Sequence, residues 1–276
     1  MSKSLKNYIK KIDKLPTIPA VAYEILNLVG DDSVSVSKIE SVVENDPAIS
    51  GKILSVANSA FFGSKQAIKT LDNAIMRIGL NNVKNIALGI SIMTVFDEGK
   101  GPKVLDYQRI FNHSVSVGFI AKRLSDELKL GTSDEIFING ILHDVGFLVL
   151  SRYFADNYKE VLEGVKNGQT LLEAEKNVLE FDHADMGAWL ANQWQLPNNI
   201  KDTIEFHHSP SHAKRSLKHV SVTHIADYIS TKNILSPVEL DPGYPLDAAA
   251  LEVLGISEDD LNDIESRMVG YVNTDD

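Results

Sequence analysis

The sequence predicts an all-α chain, and three observations carry that expectation. Apolar residues recur at three- and four-residue spacing along most of its length, alternating polar–apolar runs of the strand type are nearly absent, and residues that start and stop helices punctuate the pattern at short intervals. The signals fall into an N-terminal helical subdomain, a second helical bundle and an acidic helical C-terminal cap. No internal repeat or low-complexity segment interrupts them.

From the N-terminus, Ala22, Ile25, Leu26 and Val29 share one face of a helix that opens near Pro19. Ser37 and Glu40 form a capping-box pattern, with Ile39, Val42 and Val43 facing inward. Asp46-Pro47 starts the next helix, because the carboxylate caps free N–H groups and proline lacks the N–H that would stay unpaired there. That helix turns Ile49, Ile53, Leu54 and Ala57 inward and stops near Gly63. Thr70 and Asn81 open two more, the first ending at Gly79. The run Glu98-Gly99-Lys100-Gly101-Pro102-Lys103 then concentrates glycine, proline and charge, which divides residues 1–100 from a second bundle at 101–238. That bundle contains a stripe at Val115, Phe119, Ile120 and Leu124 and another at Phe137, Ile138, Ile141, Leu142 and Val145. A third runs through Met186, Trp189, Leu190 and Trp194 before Pro197. In the cap, 239–276, Ser257 and Asp260 open a last helix through Leu261, Ile264 and Met268.

With 276 residues, 43% of them hydrophobic and 24% charged, the chain has the composition of a globular protein able to bury a sizeable core. No apolar run approaches the roughly 20 residues of a membrane span. Met1–Lys6 lacks the apolar core and cleavage site of a signal peptide, so the expectation is a cytoplasmic protein without membrane attachment. The absence of cysteine excludes disulfides and thiolate metal sites. A net charge of −11 argues against nucleic-acid binding driven by phosphate neutralisation. The deficit is concentrated after Val238, where 11 acids face Arg267 alone, and reads as a solvated acidic cap.

All eight histidines fall between residues 113 and 224. His143 and Asp144 are adjacent, and around them lie His113, His183, His207-His208 and Asp227. Nitrogen and carboxylate donors gathered in one half of a helical chain suggest a metal site with room for two ions. Neighbours on a helix differ by about 100° in direction, so both can lean on one centre. The carboxylate offers two oxygens and can bridge a pair of ions, and two ions about 3.5–4 Å apart can together activate a water and neutralise a phosphate oxygen. The other donors come from separate helices aimed at a common point. Such a donor set favours iron, manganese, zinc or nickel over a sulfur cluster, and the expectation is one or two ions of iron or manganese, with zinc or nickel as alternatives. Taken singly, each histidine has a plainer reading, and His207-His208 before Ser209-Pro210 fits a helix C-terminus that welcomes cations.

The order of the whole set, His113, His143-Asp144, His183, His207-His208 and Asp227, resembles the HD superfamily of metal-dependent phosphohydrolases, including the two-metal branch of HD-GYP cyclic di-GMP phosphodiesterases. Leu15-Pro16-Thr17-Ile18-Pro19-Ala20, Asn45-Asp46-Pro47-Ala48-Ile49-Ser50, Ala57-Asn58-Ser59-Ala60-Phe61-Phe62-Gly63, Ala74-Ile75-Met76-Arg77-Ile78-Gly79 and Phe181-Asp182-His183-Ala184 resemble the HDOD domain, a degenerate relative of HD. The resemblance runs from about residue 13 to 230. It implies an N-terminal helical bundle followed by an HD-type helical bundle, a module of bacterial signalling and regulatory proteins that is usually without demonstrated catalysis. The seven residues named would be its metal ligands.

Three departures bear on activity. Active HD-GYP enzymes commonly carry a lysine three residues after the His-Asp pair, placed to meet substrate phosphate, and here that position is Phe147. A supporting carboxylate one turn before the first histidine is replaced by Arg109, and Ser209–Lys214 stands where an acid and a Gly-Tyr-Pro run would follow the histidine pair. Gly243-Tyr244-Pro245 lies after Asp227, outside the enzyme order, and reads as a turn into the acidic cap. Losing a phosphate-facing cation removes an electrostatic contribution worth on the order of 10²–10³ in rate.

The expectation is a regulatory protein that binds metal, and as a possible ligand a nucleotide, and that works through other signalling proteins with weak or no phosphodiesterase activity. The alternative is an active metal-dependent phosphohydrolase acting on a cyclic dinucleotide or other nucleotide phosphate. A third reading, DNA recognition, rests on the helix–turn–helix character of Met76–Lys84 and lacks a basic stripe around it. Walker, dinucleotide-binding and nucleophile-elbow motifs are absent.

Overall fold

The computed structural model describes residues 1–27, 47–59, 67–97 and 104–273. Within them the chain is helical and contains no strand. The signals at Ser37–Glu40, Asn45-Asp46, Ala60–Gly63 and Glu98–Lys103 lie outside these residues.

In the first part, α1 (Lys3–Ile9), α2 (Ala20–Asn27), α3 (Pro47–Ala57) and α4 (Leu71–Ile78) precede the long α5 (Leu80–Asp97). Thr70 caps α4 by accepting from the Asn73 N–H, and Gly79 ends it at φ +85°, a left-handed value that glycine adopts without strain. Helix α5 begins directly after Gly79, whose carbonyl accepts from Val83 N–H, so it opens one residue before the expected Asn81. Its apolar residues point in all directions. Val83, Ile86, Ala87, Leu88, Ile90 and Ile92 are buried because α5 packs against α2, α3 and α4 on one side and the next three helices on the other.

Those helices are α6 (Tyr107–Glu127), α7 (Ser133–Leu142) and α8 (Gly146–Tyr153), followed by α9 (Ala155–Lys166), α10 (Leu171–Leu179), α11 (His183–Gln193), α12 (Asn198–Phe206) and α13 (Leu217–Asn233). Side-chain caps fix where several begin. Asp106 accepts from two N–H groups at the start of α6, and Thr170/Glu173 and Asp182/Asp185 form capping boxes on α10 and α11. Beyond α13, α14 (Ala249–Leu254) and α15 (Glu258–Asn273) carry Ala250, Leu251, Leu261, Ile264 and Met268 into a second, smaller core against α6 and α13. Ser257 and Asp260 cap α15 reciprocally, as expected.

Two close crossings set the frame of the site. At the first, a Cβ on Gly140 of α7 would lie 2.6 Å from the backbone of Gly118 on α6. At the second, a Cβ on Gly146 would lie 1.9 Å from the His183 carbonyl oxygen. Only glycine lets the start of α8 meet the start of α11 at that distance, which brings Asp144 beside His183.

Candidate metal centre

Five segments deliver the seven candidate residues. His113 lies within α6 and Asp227 within α13, His183 opens α11, and His207-His208 closes α12. His143 and Asp144 do not share a helix, as the sequence suggested. They occupy the turn between α7 and α8, where Val145 N–H bonds Leu142 O and Phe147 N–H bonds Asp144 O. These three-residue steps tighten the backbone and aim both side chains inward from the end of α7.

All seven side chains converge, and all but His208 are almost wholly buried. Asp144 is at the centre. Its Oδ2 lies 3.2 Å from His143 Nε2 and 3.5 Å from His113 Nε2. Its Oδ1 lies 3.3 Å from His183 Nε2 and 3.6 Å from His207 Nε2. Asp227 Oδ1 approaches His113 Nε2 at 3.1 Å and His143 Nε2 at 3.8 Å, and its Oδ2 is 3.8 Å from His208 Nδ1. One carboxylate thus faces two sets of imidazoles through its two oxygens.

The far side of each ring explains its direction. Carbonyl oxygens only accept, so the bonds from Nδ1 of His113 to Leu235 O (2.6 Å), His143 to Gly140 O (2.7 Å) and His207 to Ile204 O (2.9 Å) put the proton on Nδ1. The Nε2 lone pair of each ring then points at the cluster, unless that nitrogen also takes up a proton. Nε2 of these three rings, Nδ1 of His208 and Oδ2 of Asp144 are buried without a hydrogen-bond partner. Buried polar atoms left in this way are costly unless something else coordinates them. The donor set is nitrogen and oxygen, and groups of its atoms lie within 4.8 Å of one another. The cluster could hold a metal ion, and the residues present fit one.

The electrostatics point the same way. Burial disfavours charge on His143, yet Asp144 and Asp227 outweigh it and raise its pKa from 6.5 to about 10. His183 is raised as well, with Glu175 and Asp144 overcoming burial. Burial and the charge of His143 lower His207 to about 4, and burial with His207 pushes His208 well below its ordinary value. Both Asp144 and Asp227 stay ionised despite burial, held down by the imidazoles around them. Two carboxylates are thus balanced by protons that a bound cation would displace.

Several neighbours escaped the sequence reading. Glu175, fully buried on α10, accepts from both Nδ1 (2.7 Å) and the backbone N–H (3.0 Å) of His183 and from Tyr158 OH (2.6 Å). Thr231 donates to Asp227 Oδ1 at 3.0 Å, a one-turn spacing that helical periodicity could have revealed. Tyr244, in the Gly-Tyr-Pro run expected to form only a turn, has a hydroxyl that donates to Asp227 Oδ2 at 2.7 Å and a ring that stands edge-on to His208 at 4.4 Å. His224, given no ligand role, is buried beside the cluster. Its Nδ1–H donates to His207 O at 2.6 Å, and its Nε2 accepts from Asp247 N–H at 2.9 Å. His212 is exposed and His219 pairs with Glu135 at 3.2 Å, and neither is among the grouped donor residues. Phe147 stacks on the His183 ring at 4.0 Å, buried. Arg109 donates instead to Ser236 O at 2.8 Å.

Among the described residues, separate helices draw imidazoles and carboxylates into one buried cluster that could hold a metal ion, which defines a helical module of candidate metal ligands. A family model described as the HDOD domain matches residues 15–210. The chain belongs to the HDOD family. Among solved structures, an HDOD domain protein of unknown function from Geobacter sulfurreducens superposes with a TM-score of 0.77 at 22% identity, covering 98% of this chain and 96% of that one. A protein from Shewanella amazonensis SB2B that bears the name "putative phosphohydrolase" superposes with a TM-score of 0.64 at 23% identity, covering 98% of each chain. Likeness at these identities carries the fold alone. An uncharacterized protein of Treponema pallidum (strain Nichols) is 27% identical over 221 residues, which is 75% of this chain and 40% of that protein. The chain therefore spans less than half the length of that curated relative.

Proposed function

We propose that this chain is a bacterial regulatory HDOD protein whose buried cluster binds one or two divalent transition-metal ions, iron or manganese before zinc or nickel, with weak or no phosphodiesterase activity. The observation that carries the metal reading is the convergence of unpartnered imidazole nitrogens whose opposite nitrogens are committed to main-chain carbonyls. His113, His143 and Asp144, with Asp227 beside His113 and His143, would hold one ion, and Asp144, His183, His207 and His208 a second. Bound ions would supply Lewis acidity toward a phosphate oxygen or a water. The chain's own residues hold the donors in place. The Nδ1 bonds fix the rings, Glu175 orients His183, and Thr231 and Tyr244 orient Asp227.

The weak-activity reading is favoured by Phe147. The position that the HD-GYP resemblance assigns to a phosphate-facing lysine holds an apolar ring packed on His183, and among the described residues lining the adjoining cavity there is no lysine or arginine. A hydrolytic reading keeps one specific support, the carboxylate that addresses both sets of imidazoles. The regulatory part of the reading draws on a structural neighbour from Marinobacter aquaeolei VT8 that bears the name "putative signal transduction protein". For DNA, α5 is a poor reading helix. Lys84 and Asn85 are buried, Asn81 donates to Asp134, and Asn82 donates to Ile78 O.

Metal analysis after reconstitution with Mn²⁺ or Fe²⁺, followed by assays on cyclic di-GMP and bis(4-nitrophenyl) phosphate, tests the proposal. Bound metal with little or no turnover is expected. A chain that stays metal-free at neutral pH overturns the metal reading, and rapid turnover overturns the regulatory one.

A further inference from the structure

The segment between α13 and α14, Leu235 to Asp247, lies across the mouth of the cluster and is tied down along its length. Leu235 O accepts from His113 and Ser236 O from Arg109. Asp241 accepts from the Leu171 and Gly243 N–H groups, and Asp247 N–H donates to His224 while its carboxylate accepts from Ser211 N–H. Tyr244 reaches from this strap to Asp227 and covers His208. What remains between strap and cluster is a cavity of about 10 Å³ lined in part by Asp144, His183, His208, Asp227 and Tyr244. That is the lower limit for a single water, and far short of a phosphodiester. Asp241 adds a carboxyl to the lining, and neither lysine nor arginine lines it.

We propose that Tyr244 is the specificity-determining residue of this cluster. With the tyrosine in place, the open side of the site accepts water or a ligand of similar size, and phosphodiesters enter only when the ring is withdrawn. The identity of that ligand rests on the metal reading above, whereas the closure itself does not.

Carbethoxylation of the metal-free 276-residue chain by diethyl pyrocarbonate, read by peptide mass spectrometry, tests the closure with exposed His212 as internal reference. His208 is expected to react at least about tenfold more slowly than His212 in the native chain. Tyr244→Ala should bring it close to His212 while buried His143 stays slow. Tyr244→Phe, which keeps the ring, should stay near the native rate. Equal labelling of His208 and His212 in the native chain overturns the proposal, and so does a His208 rate unchanged by Tyr244→Ala. Should Tyr244→Ala also expose His143, Tyr244→Leu replaces it under the same criteria. In a second arm, proton relaxation of the Mn²⁺-loaded chains is followed on addition of bis(4-nitrophenyl) phosphate. A response is expected in Tyr244→Ala and none in the native chain, and a native response overturns the proposal. Failure of Mn²⁺ to bind sinks the metal reading while the labelling arm still decides the closure.

Discussion

Three imidazoles of the cluster hand their Nδ1 proton to main-chain carbonyls, but His183 hands its own to a side chain, the buried carboxylate of Glu175. That makes Glu175 the point where a single substitution outside the candidate ligands should loosen the site. Glu175→Gln keeps the shape but removes the charge that orients His183 and raises the basicity of its Nε2, and metal affinity is expected to fall roughly 10–100-fold in competition with a chelator. Melting should change much less than affinity, and an unchanged affinity would reject the assignment. The candidate donors were legible in the sequence because, without cysteine, imidazole nitrogens are the natural transition-metal donors and the chain confines its histidines to one stretch, with His143-Asp144 adjacent. Glu175 and Tyr244 were not. Each reaches the site by folding back over a loop, and nothing in periodicity or local spacing says where such a side chain points.

At the scale of elements, the site depends on where helices end. The His143-Asp144 turn exists because α7 stops at Leu142 and α8 starts at Gly146, and α8 can approach α11 only through that glycine. Gly146→Ala should cost more than about 4 kcal/mol or abolish folding, because the new methyl meets backbone that cannot retreat. Gly51, within α3 and with nothing within 4 Å of an added Cβ, is the control. Gly51→Ala should stabilise by about 0.5–1 kcal/mol in urea unfolding. Caps and stripes made most of the helices visible in advance, as at Thr70, Gly79 and Ser257. The break within Ile141–Gly146 was hidden. The apolar stripe from Phe137 to Val145 keeps helical spacing across it, and the close contact of Gly146 with α11 that accompanies the break comes from a distant part of the chain.

For the molecule as a whole, metal binding should be inseparable from stability. A ligand that binds only the folded chain adds ~2.7 kcal/mol at a hundredfold excess over its Kd, which should raise the melting temperature by roughly 5–10 °C and be reversed by a chelator. The gain should grow with pH. His143 of the metal-free chain keeps its proton up to about pH 10, so binding must expel it, and affinity rises as the pH approaches that value. Scanning calorimetry at pH 6.5 and 8.5 with fixed free Mn²⁺ checks the sign, and a larger gain at the lower pH would contradict it. A main-chain carbonyl belongs to every residue type, so no point mutation at Gly140, Ile204 or Leu235 removes the acceptor that aims its imidazole. A lineage can therefore change other residues around the cluster while three of its rings stay aimed at the same point. The aim of these rings thus presents a small mutational target.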